Sequence, residues 1–282
     1  MKQHSQWDWE IKANTTWAGV GFKEFYSYKD LLFSLVRKEF LSSYQQTLLG
    51  PFWVLLQPLL SVITYVLVFK KVMGFSTEGL PTFLYYLTGI TLWNLFSELF
   101  LDTAYTFLNN SSIYSKVYFP RLISPFSTLL LNLIRFGIQL LLLFAVLIYF
   151  WQVGQVQLNP VRLLIIIPVI ITISGIALGG GLIFSILSTK YKDLLGLLQL
   201  SLRLLMFVCP IFYSLAIVPK SIQWLINVNP LSSLFELFRY AFLGKGNISW
   251  IYFSYSIVFM FMILLSGILL FNKTSDRLVD VM

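Results

Sequence analysis

The sequence has 282 residues, of which 57% are hydrophobic and only 11% are charged, whereas charged residues make up roughly 25% of a typical soluble protein. This composition excludes a soluble globular protein and indicates a polytopic membrane protein. The single cysteine rules out an intrachain disulfide, and with only one histidine a metal site built from these two residue types is not expected. The net charge of +8 does not come from one basic patch, so it does not indicate nucleic-acid binding.

The N-terminal segment, residues 1–47, is polar and contains one region of helical periodicity. Apolar residues recur at three- and four-residue spacing over residues 31–40, while charged residues occupy the other faces. This pattern predicts an amphipathic helix over residues 30–40 that lies at the membrane interface. Such a helix serves either as a membrane-surface anchor or as a docking surface for a partner protein, and the sequence is compatible with both.

Hydropathy predicts six membrane-spanning helices, each near or above the ~20 residues that cross hydrocarbon. The spans cover residues 48–69, 83–107, 123–150, 162–188, 195–218 and 250–271. Lysines and arginines of the connecting segments are concentrated on the side of the N-terminal segment. Because short cytoplasmic loops carry such an excess, both termini, including the tail over residues 272–282, are expected in the cytoplasm.

The first and second spans each carry one distinctive face. The first has a polar and aromatic face, which we expect to line a lumen because the polar side chains of glutamine and serine are unfavourable in contact with lipid. It consists of Trp53, Gln57, Ser61 and Tyr65, each four residues apart. The second has an aromatic stripe, which we expect to serve helix packing. It consists of Tyr86, Trp93, Phe96, Phe100 and Phe107.

Three further features lie between the second and fifth spans. Residues 108–122 predict a short cytoplasmic helix that contacts a protein or lipid headgroups. In the third span Arg135 must face a partner, water or a lipid phosphate, unless it snorkels to the interface. In the fourth, Gly175 and the glycines at 179–181 permit close approach of another helix.

The stretch over residues 195–243 combines a span with a segment that is too polar to cross hydrocarbon. Pro219 and Pro230 each suit a first helical turn, Asn229 is a good N-cap, and Gly244 is a natural terminator. These signals predict two half-helices that dip into the membrane and return, beside a cavity or exit path. The expected fold class is therefore all-α, with six transmembrane helices, an N-terminal interface helix and re-entrant half-helices between the fifth and sixth.

Four segments together resemble the membrane subunits of ABC-2 type ABC transporters that export lipid-linked polysaccharides such as O antigens, teichoic acids or capsule chains. They are residues 44–58 (YQQTLLGPFWVLLQP), 116–125 (KVYFPRLISP), 190–193 (KYKD) and 229–244 (NPLSSLFELFRYAFLG). The resemblance covers nearly the whole chain. The chain departs from relatives at Gln45, where they often have a basic residue, and near Leu122, where they often have an acidic one.

The resemblance implies a homodimer in the bacterial inner membrane that encloses a channel for the glycan and is driven by two copies of a cytoplasmic ATPase. The sequence agrees, because it contains no GxxxxGK[ST] motif to cradle phosphates. The chain is therefore expected to be a transport subunit rather than an enzyme. ATP and Mg would bind to the partner subunit, and the chain itself would bind no cofactor and meet only its partners, the glycolipid and membrane lipids.

Three sets of residues receive roles, the first two by the same resemblance. The third is expected because an exporter must prevent ion leak, and a half-buried segment between the fifth and sixth spans could close the channel, unless it is only a static cap. The channel set is Trp53, Gln57, Ser61, Tyr65, Gln199, Arg203 and Phe207. The ATPase-coupling set is Leu35, Arg37, Lys38, Asn110, Tyr114, Lys116 and Tyr118. The outer gate set is Pro219, Trp224, Leu225, Asn229, Pro230, Phe235, Glu236, Phe238 and Arg239. Arg203 is expected to meet the lipid phosphate or, equally, to form an interhelical ion pair, and Glu236 is expected to pair with Arg239.

Three other functions are alternatives to polysaccharide export. An ABC-2 exporter of a smaller lipid or drug would share the fold but need fewer aromatic residues along its path. A membrane-embedded enzyme or a proton-coupled secondary transporter would need acidic or histidine clusters, and the spans offer only Glu98 and Asp102. The sequence identifies neither the glycan nor its carrier lipid.

Overall fold

The computed structural model describes residues 26–77, 79–114, 119–191, 193–246 and 248–279, with side chains except at 111–114, 216 and 275–279. These residues form helices joined by short connections, and no strand occurs among them. The helices are α1 (Lys29–Tyr44), α2 (Trp53–Tyr65), α3 (Thr82–Ala104), α4 (Thr106–Tyr114), α5 (Ile123–Gln152), α6 (Pro160–Leu163), α7 (Ile166–Lys190), α8 (Leu194–Val208), α9 (Lys220–Val228), α10 (Pro230–Leu243) and α11 (Trp250–Val279). A 3₁₀ turn, Gly50–Phe52, precedes α2, and a π-helical stretch, Val66–Val72, extends it.

Within the described residues, four helical stretches are long and apolar enough to cross a membrane. They are Gly50–Val72, Ile123–Gln152, Pro160–Lys190 and Trp250–Thr274. They correspond to the predicted first, third, fourth and sixth spans. The predicted second span, α3, is long enough but less apolar, and the fifth, α8, is apolar but only 15 residues long. The chain is thus a multi-pass, all-helical membrane protein, and its count of six spans stays a prediction.

Helix α3 is the centre of the bundle, which explains its lower hydropathy. Its side chains are buried along most of its length, and α2, α5, α7, α8 and α10 pack around it. A helix surrounded by protein does not have to match lipid, so it tolerates polar residues that a lipid-facing helix would not. Every member of the predicted aromatic stripe is buried, so the packing interpretation is confirmed.

The glycine-rich run of α7 lets two helices approach closely, as predicted. A Cβ atom on Gly179 would lie 2.7 Å from backbone atoms of Ile263 and Leu264 in α11. Across the same contact, a Cβ atom on Gly267 would lie 2.6 Å from the carbonyl oxygen of Gly179. Neither neighbour is a flexible side chain, so only glycine fits at this crossing.

The predicted fifth span ends earlier than expected. Helix α8 stops at Val208, and the chain turns through Cys209 and Pro210 instead of continuing to residue 218. Proline lacks the N–H that would continue the helix, and its ring clashes with the preceding turn. The two half-helices follow as α9 and α10. Their predicted signals are present: the Asn229 side chain accepts the Leu231 N–H at 3.0 Å, and Gly244 has a φ of 69°.

Helix α1 packs against its own chain rather than standing apart. It runs four residues beyond the predicted end and buries Leu32, Leu35 and Val36. Leu32 and Leu35 join a satellite core with Phe107 of α4 and Phe271 of α11. The amphipathic pattern is thus confirmed, but the apolar face is covered by α5 and this satellite core.

Candidate functional site

Helix α2 turns its predicted channel face away from the core. It buries Val54, Pro58 and Val62 against the bundle, so the other side of the helix is open. There Trp53 and Gln57 are exposed, while Ser61 and Tyr65 are half-buried. The Tyr65 ring lies 4.8 Å from that of Phe212, and its hydroxyl lies 3.9 Å from the Met206 sulfur in α8. Tyr65 therefore joins the two helices that were predicted to line the path.

Helix α8 likewise buries one face and exposes the other. Leu195, Leu198 and Leu202 are buried, while Arg203 and Phe207 are exposed. Gln199 donates to the Tyr105 hydroxyl at 3.0 Å, so this residue is tied to the end of α3. Arg203 has neither an ion pair nor a hydrogen bond among the described residues, so the structural ion pair expected as an alternative is not formed with any of them.

Arg135 organises a polar cluster that the sequence does not assign to a site. One guanidinium nitrogen donates to Asp102 of α3 at 3.3 Å, and the other donates to the Ser43 hydroxyl of α1 at 3.2 Å. Asn132 also donates to Asp102, at 3.0 Å. The cluster therefore connects α1, α3 and α5. The available signal was the presence of an arginine and an aspartate inside predicted spans, which is costly unless they meet.

Two adjoining cavities open on either side of Arg135 and Ser43. The smaller, of about 240 Å³, lies between α2, α3 and α5 and is lined by Ser43, Tyr44, Trp53, Val54, Gln57, Glu98, Arg135 and Gln139. The larger, of about 360 Å³, lies beneath α1 and is lined by Leu35, Lys38, Glu39, Ser42, Ser43, Asp102, Thr106, Asn109, Asn110, Thr128, Leu131 and Arg135. The smaller cavity brings two predicted channel residues, Trp53 and Gln57, together with Glu98, which belongs to none of the three predicted sets.

The structure divides the predicted coupling residues between surface and interior. Arg37 and Lys38 are exposed on α1. Leu35 and Asn110, by contrast, are buried, because Leu35 docks α1 on the satellite core and Asn110 donates to the Thr106 carbonyl. These two therefore brace the chain and offer no surface to a partner in this structure. The Tyr114 side chain, Lys116 and Tyr118 lie outside the described residues.

The electrostatics beneath α1 centre on Glu39. Burial, followed by the nearby Asp102 carboxylate, raises the pKa of Glu39 above its ordinary value of 4.5, and Lys38 and Arg135 partly oppose the shift. The ionised carboxylate is therefore less stable when α1 is docked than in water.

The predicted outer gate residues also separate into two groups. Trp224 and Leu225 project from α9 and are 64% and 52% exposed. Phe235 and Phe238 of α10 are buried instead, with Phe235 stacked on Trp93 of α3. An apolar plug formed by all four side chains does not match this arrangement, because the two phenylalanines fill the core of one chain. Pro219, Asn229 and Pro230 occupy the starts of α9 and α10.

Arg239 and Glu236 form the predicted pair and do more than neutralise each other. Arg239 donates to Glu236 at 2.9 Å and to the Pro210 carbonyl at 2.5 Å. Its guanidinium also lies 4.0 Å from the centre of the Tyr85 ring in α3. At the start of α10, Asn229 donates to the Cys209 sulfur at 3.3 Å. Helix α10 is thus clamped to the turn that ends α8 and to the central helix.

Comparison with known proteins agrees with this architecture. The chain is 27% identical over 254 residues to an O-antigen export system permease protein RfbA of Klebsiella pneumoniae, which covers 90% of this chain and 95% of the relative. A second Klebsiella pneumoniae protein of the same name is 27% identical over 258 residues. A Myxococcus xanthus RfbA is 27% identical over 224 residues, covering 78% of this chain and 83% of the relative. The ABC-2 type transporter family matches residues 30–243, from the first turn of α1 to the end of α10, and the chain therefore belongs to this family.

Proposed function

We propose that this chain is the transmembrane subunit of an ATP-driven exporter that moves a lipid-linked polysaccharide across the bacterial inner membrane. The O-antigen export named in three relatives supports a glycan as the cargo. The observation that carries the proposal is the exposed face of α2 and α8, which combines aromatic rings with Arg203, an arginine that has no ion pair among the described residues. Aromatic rings stack on the apolar faces of sugars, and arginine binds phosphate.

The same face supports a homodimer. An exposed arginine and glutamine on membrane helices are costly in lipid, so these side chains require water or protein around them. A second copy of the chain would cover the face and enclose a water-filled path, with Trp53, Gln57, Ser61, Tyr65, Gln199, Arg203 and Phe207 along it. In this arrangement α3 and α8 would also cross the membrane, which brings the four long apolar stretches to six spans. Both termini would then lie in the cytoplasm.

The energy source in this proposal is a separate ATPase that binds ATP and Mg. Two copies would dock beneath the dimer on Arg37 and Lys38 of α1 and on the segment that contains Tyr114, Lys116 and Tyr118. Because α1 is packed on α5 and joined to Arg135, a displacement of α1 would reach the membrane helices directly. On the opposite side, the exposed apolar face of α9 would close the path between turnovers.

Deleting the gene and locating the glycan tests this function. Intact and permeabilised cells would be labelled with a lectin or antibody against the cell's own surface polysaccharide. We expect the deletion to abolish surface labelling while glycan accumulates inside, and a plasmid copy to restore the surface signal. Normal surface labelling in the deletion strain would contradict the proposal. A smaller-substrate exporter would leave the glycan unchanged and cause retention of a lipid or drug.

A further inference from the structure

The smaller cavity, of about 240 Å³ between α2, α3 and α5, has the composition of a carbohydrate site. We propose that it binds a single neutral sugar ring at the α1 end of the transport path. This inference rests on the proposed function, because it names where the glycan is first held. At liquid density the cavity would contain about eight water molecules, and the hydroxyls of a sugar can replace the hydrogen bonds of such waters.

Aromatic rings at the cavity supply the stacking surface. Trp53 is 43% exposed at the start of α2, and Tyr44 lies at the end of α1, so the two rings come from different helices. The Arg135 guanidinium lies 6.0 Å from the Tyr44 ring centre, at the outer limit of a cation–π contact. A pyranose ring has an apolar face of carbon-bound hydrogens, and such a face packs favourably on an indole or phenol ring.

Polar side chains that line the same cavity supply the hydrogen bonds. The Glu98 carboxylate has no hydrogen bond or ion pair among the described residues, although the residue is partly buried. Gln139 accepts from Asn94 at 3.5 Å, which leaves its amide N–H groups for a ligand. Gln57 adds a second amide. A carboxyl group and two amides can accept from and donate to the adjacent hydroxyls of a sugar.

The charges in the cavity select a neutral occupant. Arg135 is already paired with Asp102 at 3.3 Å, and Glu98, the other ionisable side chain of the lining besides Tyr44, is acidic. A phosphate placed here would have to compete with Asp102 for the guanidinium and would meet no second basic side chain among the lining residues. Arg203 on α8 has no such competitor and suits the phosphate better. The cavity would therefore hold a sugar ring of the glycolipid, at a distance from its anionic group.

The full-length chain in lipid nanodiscs can test this site by saturation-transfer NMR. The probes are the methyl glycosides of glucose, mannose and N-acetylglucosamine, and inorganic phosphate is the anionic comparison. We expect at least one neutral glycoside to receive saturation from the protein. Its affinity should fall roughly tenfold or more in Trp53→Ala and in Glu98→Gln, because each removes a principal contact. Trp151→Ala and Gln152→Ala change exposed residues at the other end of α5 and should bind normally.

The outcomes of this experiment distinguish failure of the sugar site from failure of the proposed exporter function. Absence of glycoside binding, or equal binding by Glu98→Gln and the control variants, would overturn the sugar site. Binding of phosphate in place of the glycosides would also overturn it and assign the cavity to anionic headgroups. In each case, a deletion strain that still lacks surface glycan would leave the exporter proposal standing. Gel filtration and circular dichroism of each variant would show that it remains folded.

Discussion

Charged residues inside the helical bundle fall into compensated and uncompensated groups. Arg135 with Asp102 and Arg239 with Glu236 form ion pairs at 3.3 and 2.9 Å, and each arginine also donates to a second helix or turn. Arg203 and Glu98 have no such partners among the described residues. Because an ionisable side chain within a membrane is costly, the two ion pairs account for Arg135 and Arg239 structurally, whereas Arg203 and Glu98 need other surroundings, such as water or a ligand. The two unpaired residues are therefore our candidates for substrate contact.

Arg203 should matter for export and little for folding. Arg203→Gln keeps the polarity and much of the length but removes the charge, so we expect a large loss of surface glycan. Its free energy of unfolding should change by no more than about 0.5 kcal/mol, because the side chain is exposed and unpaired. Arg203→Lys retains the charge and should retain more export than Arg203→Gln. Equal export by wild type and Arg203→Gln would contradict the assignment of Arg203 to the lipid phosphate.

Glu39 should make the docking of α1 dependent on pH. Below the ordinary pKa of 4.5, the carboxyl is neutral whether α1 is docked or released. As pH rises through the higher pKa of the docked state, the docked helix must hold a desolvated charge that the released helix exposes to water, so docking weakens. Hydrogen exchange of α1 amides, corrected for its intrinsic pH dependence, should show this loss. Glu39→Gln should abolish it, and an unchanged profile in that variant would contradict the assignment.

At the scale of whole helices, the bundle is held by close packing and by a clamp. Helices α7 and α11 meet at glycines, and α10 is bonded through Arg239 to the turn that ends α8. The carbonyl groups of Pro210 and Ile211 lie beyond the end of α8, where no helix supplies a donor, and the Arg239 guanidinium donates to both. The interrupted helix is therefore a stable feature of the fold, because protein donors replace its missing helical bonds.

The α7 and α11 crossing should not tolerate a single added methyl group. Gly179→Ala places its Cβ against the backbone of α11, which cannot yield, so we expect a loss of about 1–3 kcal/mol in stability. Gly137→Ala in α5 is the matched control, since no atom lies within 4 Å of its added Cβ. Thermal unfolding in detergent compares the two. A Gly179→Ala variant as stable as Gly137→Ala would show that the helices separate readily.

The outer gate is best tested on α9, since its exposed residues leave the core intact. Phe235 and Phe238 are unsuitable, because truncating a buried phenylalanine costs about 3–5 kcal/mol. Replacing Trp224 and Leu225 together by serine should raise ion leak through proteoliposomes without ATP. Replacing exposed Phe261 and Leu265 of α11 in the same way provides the control. If the α9 variant causes no increase in ion leak, α9 does not act as a gate and is only a static cap.

At the scale of the whole molecule, local signals in the sequence predicted where the helices begin and end better than they predicted which helices are in contact. Proline, asparagine and glycine located α9 and α10 because capping depends on neighbouring residues. The end of α8 could also have been predicted from Pro210, but hydropathy alone extended the span. For Arg135 the sequence indicates the need for a partner but not its identity, because Asp102 and Ser43 lie 33 and 92 residues away. The burial of Phe235 and Phe238 depends in the same way on the position of α3.

Transport in a purified system tests ATP-driven glycan export by this chain most directly. The chain would be co-purified with its ATPase, reconstituted into liposomes, and supplied with the cell's lipid-linked glycan on the ATPase side. We predict that glycan becomes protected from an added glycosidase only when ATP and both subunits are present. A catalytically inactive ATPase and the Arg203→Gln variant should each reduce the protected fraction. Protection that is independent of ATP, or none with an active ATPase bound, would contradict the account.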